Sequence, residues 1–307
     1  MSWKRKTNWK RKLMGTYVVG SSAIATLTII LIMLVMTGSI FLGAKDTLSW
    51  EFLTADPRDG MTAGGIFPAI VGTVLLVLLM SLAGVPAGAI TAIYLSEYAS
   101  QKSIIARSIR FAVNTLAGVP SIVFGLFGLG FFVQFVGAGM DKLFTDGVEL
   151  HWAQPNILWA SLTMALLTLP VVIVSVEEAI KSVPQDLRAG SLALGATKWQ
   201  TIWKVVLPNS LNGIFTGAIL AVSRGAGEVA PILFTGAAYF LPQLPDSFSS
   251  QFMHLGYHVY IMSTQSTNVD ATKGIQYATT LVLLALTFTL NLSAIILRSR
   301  VRARQIQ

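Results

Sequence analysis

The sequence predicts an all-α integral membrane protein with six transmembrane helices. Hydrophobic residues make up 53% of the 307 residues and charged residues only 12%, about half the charge of a soluble domain. Six apolar runs are each about 20 residues or longer, enough to cross the hydrocarbon core as a helix. Lys and Arg collect at the ends of these runs, so the net charge of +8 reflects membrane topology and argues against nucleic-acid binding.

The predicted spans, in chain order, cover residues 17–42, 66–95, 111–136, 157–176, 212–235 and 277–297. A secretory signal peptide is the rival interpretation of the first run, but the run is too long for a signal core and lacks a convincing cleavage motif. Pro86, Pro120 and Pro170 fall inside spans, where neighbouring helices can satisfy the carbonyls that a kink frees. A short outer helix is expected around 249–262.

The distribution of basic residues orients the bundle. With a cytoplasmic N-terminus, 17 of the 22 Lys and Arg lie on the inside and four on the outside, as the positive-inside rule requires. We therefore predict a basic cytoplasmic N-terminus (1–16), a six-helix transmembrane domain (17–297) and a basic cytoplasmic tail (298–307), with no separate soluble domain.

Composition and motifs argue against an enzyme. The chain has no cysteine, which removes thiolate catalysis and cysteine metal sites. His254 and His258 have the i, i+4 spacing of metal ligands, but no third ligand is evident and ordinary loop histidines are expected. No GxxxxGK[ST] phosphate loop occurs, so no cofactor is expected and ATP, if used, belongs to a partner subunit.

A polar interruption at 177–208 separates two apolar runs. It is predicted to form two short helices joined at Gly195, the first with Pro184 in its first turn and Ser182 as its cap. In the second, an i, i+3, i+4, i+7 pattern places four apolar side chains on one face; these are Trp199, Ile202, Trp203 and Val206. The pattern suits docking into a groove on another protein or resting among lipid headgroups, and composition alone favours neither.

Arg224 and Glu228 are the candidate residues of a substrate path. They lie four residues apart in the fifth run, which predicts one face of a helix. Ionisable groups at membrane depth are costly unless they face a partner or water. A guanidinium suits oxyanions, and Glu228 would compete with the anion so that binding stays reversible. An intrahelical pair of purely structural role is the alternative.

The stretch from Leu187 to Pro208 resembles the coupling loop of bacterial ABC importer permeases. Gly195, Leu207 and Pro208 match the family pattern, and Val205 replaces its Ile. Ala189 stands where the family has the Glu of its Glu-Ala-Ala motif, so that acid is missing. The resemblance implies that the loop contacts the ATPase; its matching or apolar positions are Leu187, Gly195, Trp199, Ile202, Trp203, Leu207 and Pro208.

Three motifs, at 116–133, 192–208 and 223–236, resemble the phosphate permeases of the PstA family. The resemblance implies the six-helix bundle of type I (MetI-like) importers in a bacterial plasma membrane. It also implies a PstC-like partner permease, two PstB-like ATPases and a PstS-like phosphate-binding protein. Arg224 and Glu228 match the family's intramembrane pair, whereas Val229 replaces its usual Thr. A permease for sulfate, molybdate or another small solute is the alternative.

Overall fold

The computed structural model describes residues 9–100, 102–144, 150–266 and 269–305 and is almost entirely helical. Its α-helices are α1 (Trp9–Ala44), α2 (Trp50–Thr54), α3 (Phe67–Ile93), α4 (Ile104–Leu116), α5 (Ser121–Phe127), α6 (Ala138–Phe144), α7 (Ile157–Lys181), α8 (Gln185–Ala193), α9 (Lys198–Thr201), α10 (Leu207–Gly225), α11 (Ile232–Thr235), α12 (Leu255–Thr264) and α13 (Val269–Gln305). Continuous π-helical segments cover Tyr94–Tyr98, Gly128–Gly137 and Ile202–Val206. One small antiparallel hairpin joins β1 (Pro57–Arg58) to β2 (Ala63–Gly64).

The predicted count of six spans is confirmed within the described residues. The helices long and apolar enough to cross a membrane are Leu13–Ala44, Phe67–Tyr98, Ser121–Phe144, Ile157–Lys181, Lys198–Gly225 and Thr272–Arg300. Pro86 and Pro170 lie inside the second and fourth spans, as predicted.

The fourth span, α7, is the centre of the bundle. It is the most buried of the six spans and packs against α3 on one side and α10 on the other. Glycines allow both approaches: a Cβ at Gly88 would lie 2.6 Å from Val172 Cγ1, and one at Gly213 would collide with Ala179. These close helix contacts fix the position of α10, which leads to the candidate site.

The predicted start of the third span, at residue 111, is wrong. The segment up to Leu116 belongs to α4, a separate helix, and the span begins at Ser121 directly after Pro120. Pro120 therefore precedes the span instead of kinking it. Since proline disfavours helical geometry in the residue before it, the apolar run breaks there although its hydropathy continues.

The fifth span also differs from the prediction of 212–235. It starts at Lys198 and ends at Gly225, so the second helix predicted within 177–208 is the beginning of the span and not a separate short helix. Pro208 lies in the first turn of α10, after the π-helical turn Ile202–Val206. A π turn changes the local hydrogen-bond pattern, and the helix continues through the proline.

The outer segment before α13 folds back against the bundle. Its helix, α12, covers Leu255–Thr264, later than the predicted 249–262. His254 and His258 are buried and not ordinary loop histidines. His254 Nδ1 accepts a hydrogen bond from Gly256 N at 3.1 Å, and His258 Nδ1 lies 3.4 Å from Thr279 Oγ1. Burial lowers the pKa of each histidine to about 4, so both rings are neutral at pH 7.

A buried carboxylate anchors another outer loop. Asp141 is 1% exposed and accepts backbone hydrogen bonds from three consecutive residues: His151 N at 3.2 Å, Trp152 N at 2.9 Å and Ala153 N at 2.7 Å. Charge-assisted bonds of this kind are about twice as strong as neutral ones. Asp141 therefore holds the segment before α7 against the outer end of α6.

Candidate translocation path and coupling surface

The fifth span breaks at the candidate path residues. α10 ends at Gly225, and the backbone is irregular until α11 begins at Ile232. Gly225 packs against Met80 of α3 and Met164 of α7, both inside membrane spans. Irregular backbone at membrane depth is tolerated only where protein buries it or where it lines a water-filled cavity. The break therefore belongs to an internal surface of the protein or of its assembly and not to the lipid face.

Arg224 and Glu228 are paired, although not on one helix. Arg224 lies in the last turn of α10, whereas Glu228 lies beyond the helix end, so the expectation of a shared helical face is wrong. Arg224 Nε is nevertheless 3.8 Å from Glu228 Oε1, and the side chains are 39% and 27% exposed. The pair is long, and no hydrogen bond within 3.5 Å joins these side chains. Guanidinium donors consequently remain available to an anion.

The surroundings of the break leave one side open. Ala230 and Pro231 pack against Gly125 of α5, where an added Cβ would lie 3.1 and 3.0 Å from their carbonyl oxygens. Gly227 faces open space: no described atom lies within 4 Å of a Cβ built there. Next to Arg224, Ser223 Oγ donates a 2.6 Å hydrogen bond to Asn291 Oδ1 of α13. Arg224 thus lies at a helix end that a hydrogen bond to α13 holds in place, next to the open space at Gly227.

The loop between the fourth and fifth spans contains one exposed helix, α8. Among the residues of α8, none is buried, and Leu187 is exposed. Pro184 is the N-cap residue of α8 and not, as predicted, part of its first turn. Ser182 caps the C-terminal end of α7 and not the start of α8. Gly195 has φ +83°, a left-handed conformation that favours glycine. The predicted turn at Gly195 is confirmed.

The apolar face predicted after Gly195 divides into two strips. Trp199 and Trp203 are each 60% exposed and stack with ring centroids 5.6 Å apart. Ile202 and Val206 are buried in the bundle, and Leu207 and Pro208 are half-buried at the start of α10. The indoles border an apolar cleft of about 240 Å³ against the inner end of α3. Only the tryptophans therefore remain available for a partner or for lipid.

Two ion-pair clusters at the inner end of the bundle were not predicted from the sequence. In one, Arg188 of α8 pairs with Glu97 at the end of the second span. In the other, Glu177 of α7 pairs with Arg110 of α4 and, at 2.8 Å, with Lys181. The partners are 91 and 67 residues apart in the two arginine pairs, and no local spacing signals such contacts.

No described group of three or more His, Asp and Glu side chains could hold a metal ion. Ala189, which stands where the importer permeases have the Glu of their Glu-Ala-Ala motif, is exposed. Two residues later, Ser191 Oγ lies 2.9 Å from Thr201 Oγ1. This contact ties α8 to the start of the fifth span.

Comparison with known proteins places these features in a family. Residues 84–304 match the family described as binding-protein-dependent transport system inner membrane component. The chain is 34% identical over 235 residues to the phosphate transport system permease protein PstA of Yersinia pestis, covering 76% of this chain and 74% of that protein.

Solved transporters share the fold. A bacterial alginate ABC transporter chain aligns with a TM-score of 0.65 and 16% identity, covering 93% of this chain and 95% of the other. A chain of the MetNI methionine ABC transporter aligns with a TM-score of 0.50 and 17% identity, covering 77% and 94%. The predicted six-helix importer bundle is confirmed, and the relatives are transporter subunits and not enzymes. The chain therefore belongs to the inner membrane components of binding-protein-dependent transport systems, among the ABC permeases related to the PstA phosphate permeases.

Proposed function

We propose that this permease carries inorganic phosphate into a bacterial cell, past Arg224, at the expense of ATP hydrolysed by partner subunits. The observation that carries the proposal is the arginine itself: a guanidinium with available donors at a helix break within the membrane. Arginine presents a planar fork of donors that matches phosphate oxygens. The names of the PstA relatives favour phosphate among the oxyanions.

The transport cycle follows from two-state physics. ATP binding draws the two ATPases together, α8 moves with them, and the spans re-orient about the helix break at Gly225. ATP shifts this equilibrium only because it binds the closed state more tightly than the open one. Glu228 competes with phosphate for Arg224, and release towards the cytoplasm is fast for that reason.

The partners in this proposal are a PstC-like permease in a heterodimer, a PstB-like ATPase dimer on α8 and a PstS-like phosphate-binding protein on the outer loops. Uncovered surfaces support these partners. The most apolar stretch of the first span has no residue that the rest of the chain buries, so lipid or a second permease covers it. α8, which has no buried residue, lies in a loop whose basic residues favour the cytoplasmic side of the plasma membrane, and in this proposal both termini lie on the same side.

Uptake of radiolabelled phosphate tests the proposal directly. Cells expressing this chain with its partner subunits are compared with cells carrying Arg224→Gln, and co-purification of the subunits checks assembly. We expect uptake to disappear in Arg224→Gln while assembly stays normal. Arg300→Gln, which removes an exposed charge from the inner end of α13, is the matched control and retains uptake.

Two outcomes contradict the proposal in different ways. Normal uptake by Arg224→Gln means that the arginine is structural. No phosphate uptake by the wild type, together with uptake of sulfate or molybdate, assigns the chain to another oxyanion. Competition by each unlabelled oxyanion at equal concentration separates these cases in the same experiment.

A further inference from the structure

The connection between α8 and the bundle depends on very few side chains. Every residue of α8 is at least partly exposed, and the helix is joined to the rest of the chain by turns at Val183 and Gly195. Arg188 differs from the other residues of α8 because its side chain points towards the bundle and is only 17% exposed. Besides the backbone turns, the Ser191–Thr201 contact and Arg188 connect α8 to the spans.

The guanidinium of Arg188 joins three elements at once. Its Nη1 pairs with Oε1 of Glu97, and its Nη2 donates a 2.6 Å hydrogen bond to the carbonyl oxygen of Ile180. Glu97 lies in the π-helical turn that ends the second span, and Ile180 lies in the last turn of α7. Arg188 thus links α8 to the inner ends of the second and fourth spans.

A second arginine, Arg110, also connects the ends of the second and fourth spans. Arg110 of α4 pairs with Glu177 of α7 and donates a 2.9 Å hydrogen bond to the carbonyl oxygen of Leu95. Leu95 belongs to the same π-helical turn as Glu97. The turn is consequently bonded to α8 through Glu97 and to α4 through Leu95.

The Arg188–Glu97 pair is not arranged for maximal stability. The carboxylate and the guanidinium are largely buried, at 10% and 17% exposure, and the buried Arg188 Nε has no acceptor among the described residues. A buried N–H without an acceptor is destabilising, and apolar residues often replace a buried ion pair without loss of stability. A stiff, directional link is what the pair provides over an apolar contact.

We infer that Arg188 and Glu97 are positioning residues that transmit movement of α8 to the second and fourth spans, so that they set how much transport each ATP hydrolysis drives. This inference rests on the proposed coupling of α8 to an ATPase. It concerns the transmission of movement and not the identity of the substrate. Loss of the link uncouples hydrolysis from movement of the spans while the ATPases remain bound.

The experiment compares Glu97→Gln and Arg188→Lys with wild type in the full complex reconstituted in proteoliposomes. Gln keeps the size and an acceptor oxygen of Glu97, and Lys keeps the charge of Arg188 but cannot bind Glu97 and Ile180 with a planar fork. Arg107→Gln is the matched control, because Arg107 is an exposed arginine of neighbouring α4 whose guanidinium makes one hydrogen bond to the described residues, a 3.4 Å contact with Lys102 O.

Two readouts separate this inference from the proposed function. The first is phosphate taken up per ATP hydrolysed. The second is independent of substrate: Ser100→Cys provides a unique thiol, since the chain has no cysteine, and its maleimide reactivity is measured with and without ATP in cysteine-free partners. Ser100 is exposed and lies two residues beyond the end of the second span at Tyr98, so the thiol is outside the membrane-spanning segment and reports movement of that end.

We expect both variants to assemble and to hydrolyse ATP. The amount of phosphate transported per ATP is expected to fall about fivefold or more, because about fivefold is the smallest factor typical of energetic coupling between two sites. The ATP-dependent change in thiol reactivity is lost in parallel, whereas Arg107→Gln behaves as wild type. Assembled variants with a wild-type thiol response and ratio overturn the inference. If Glu97→Gln fails to assemble, Arg188→Lys decides by the same readouts. A wild-type complex that shows the thiol response but carries no phosphate refutes the proposed substrate alone.

Discussion

Removing the charge of Glu228 is expected to tighten phosphate binding and slow its release. In Glu228→Gln the anion no longer competes with a carboxylate 3.8 Å from Arg224 Nε. At that distance two unit charges attract each other by about 1 kcal/mol in water and about 4 kcal/mol at the effective dielectric constant of about 20 near a protein surface. Because the two side chains are 39% and 27% exposed, we place the net effect near the lower end, at about 1–2 kcal/mol. The dissociation constant is then about five to thirty times lower.

Retention of radiolabelled phosphate measures this effect. The purified complex is held in its ATP-bound state with a non-hydrolysable ATP analogue. The radiolabelled phosphate that it retains on a filter is then measured at increasing phosphate concentrations. Glu178→Gln is the control, since Glu178 is an exposed carboxylate at the inner end of α7. Maximal uptake in proteoliposomes is expected to fall in Glu228→Gln because release becomes slower. An unchanged or higher dissociation constant refutes the competitive role of Glu228.

Three other predictions concern the coupling loop and the outer segments. Gly195→Val imposes a side chain on a left-handed residue with φ +83°, a strain of about 1–2 kcal/mol, and is expected to turn α8 and reduce co-purification of the ATPases; normal co-purification and stimulated hydrolysis contradict it. Asp141→Asn replaces one carboxylate oxygen by an NH₂ group facing backbone N–H donors and is expected to cost about 3 kcal/mol, seen as a lower thermal midpoint of the purified chain; an unchanged midpoint contradicts it. The buried histidines His254 and His258 have folded pKa values of about 4, below the ordinary value of 6.5, so their burial in the neutral form contributes fully to the stability of the outer segment above pH 6.5. This stabilisation, about 3 kcal/mol for each ring, is lost as the pH falls towards 4, and proteolysis of the outer segment at pH 7 and pH 5 measures it; equal rates contradict it.

The membrane architecture was largely predictable because it depends on length and apolar content. Six long apolar runs and the inside excess of basic residues require no knowledge of tertiary contacts. Hydropathy does not register where a helix breaks, however. Pro120 ends one apolar run for a steric reason, and the helix ends at Gly225 within an apolar run, beside Met80 and Met164 of other spans.

The candidate site was predictable only in its residues. Charge at membrane depth identifies Arg224 and Glu228, but their relation depends on the helix end between them. The exposure of Trp199 and Trp203 beside buried Ile202 follows from which side of the fifth span meets α7 and α3. Arg188 and Glu97 form a pair across 91 residues, and only the folded arrangement brings them together.

The π-helical turn at Ile202–Val206 has a consequence for sequence change along the fifth span. It accommodates one residue more than an α-helical turn does, and each residue of an α-helix rotates the following side chains by about 100°. Deleting a single residue here would return the turn to ordinary α-helix and leave the residues beyond it close to their present orientation. The same deletion in the regular part of α10 would rotate one side of the helix relative to the other by about 100°, and Arg224 would then face a different neighbour. Within the fifth span, the loss of one residue should therefore be better tolerated at this turn than between the turn and Arg224.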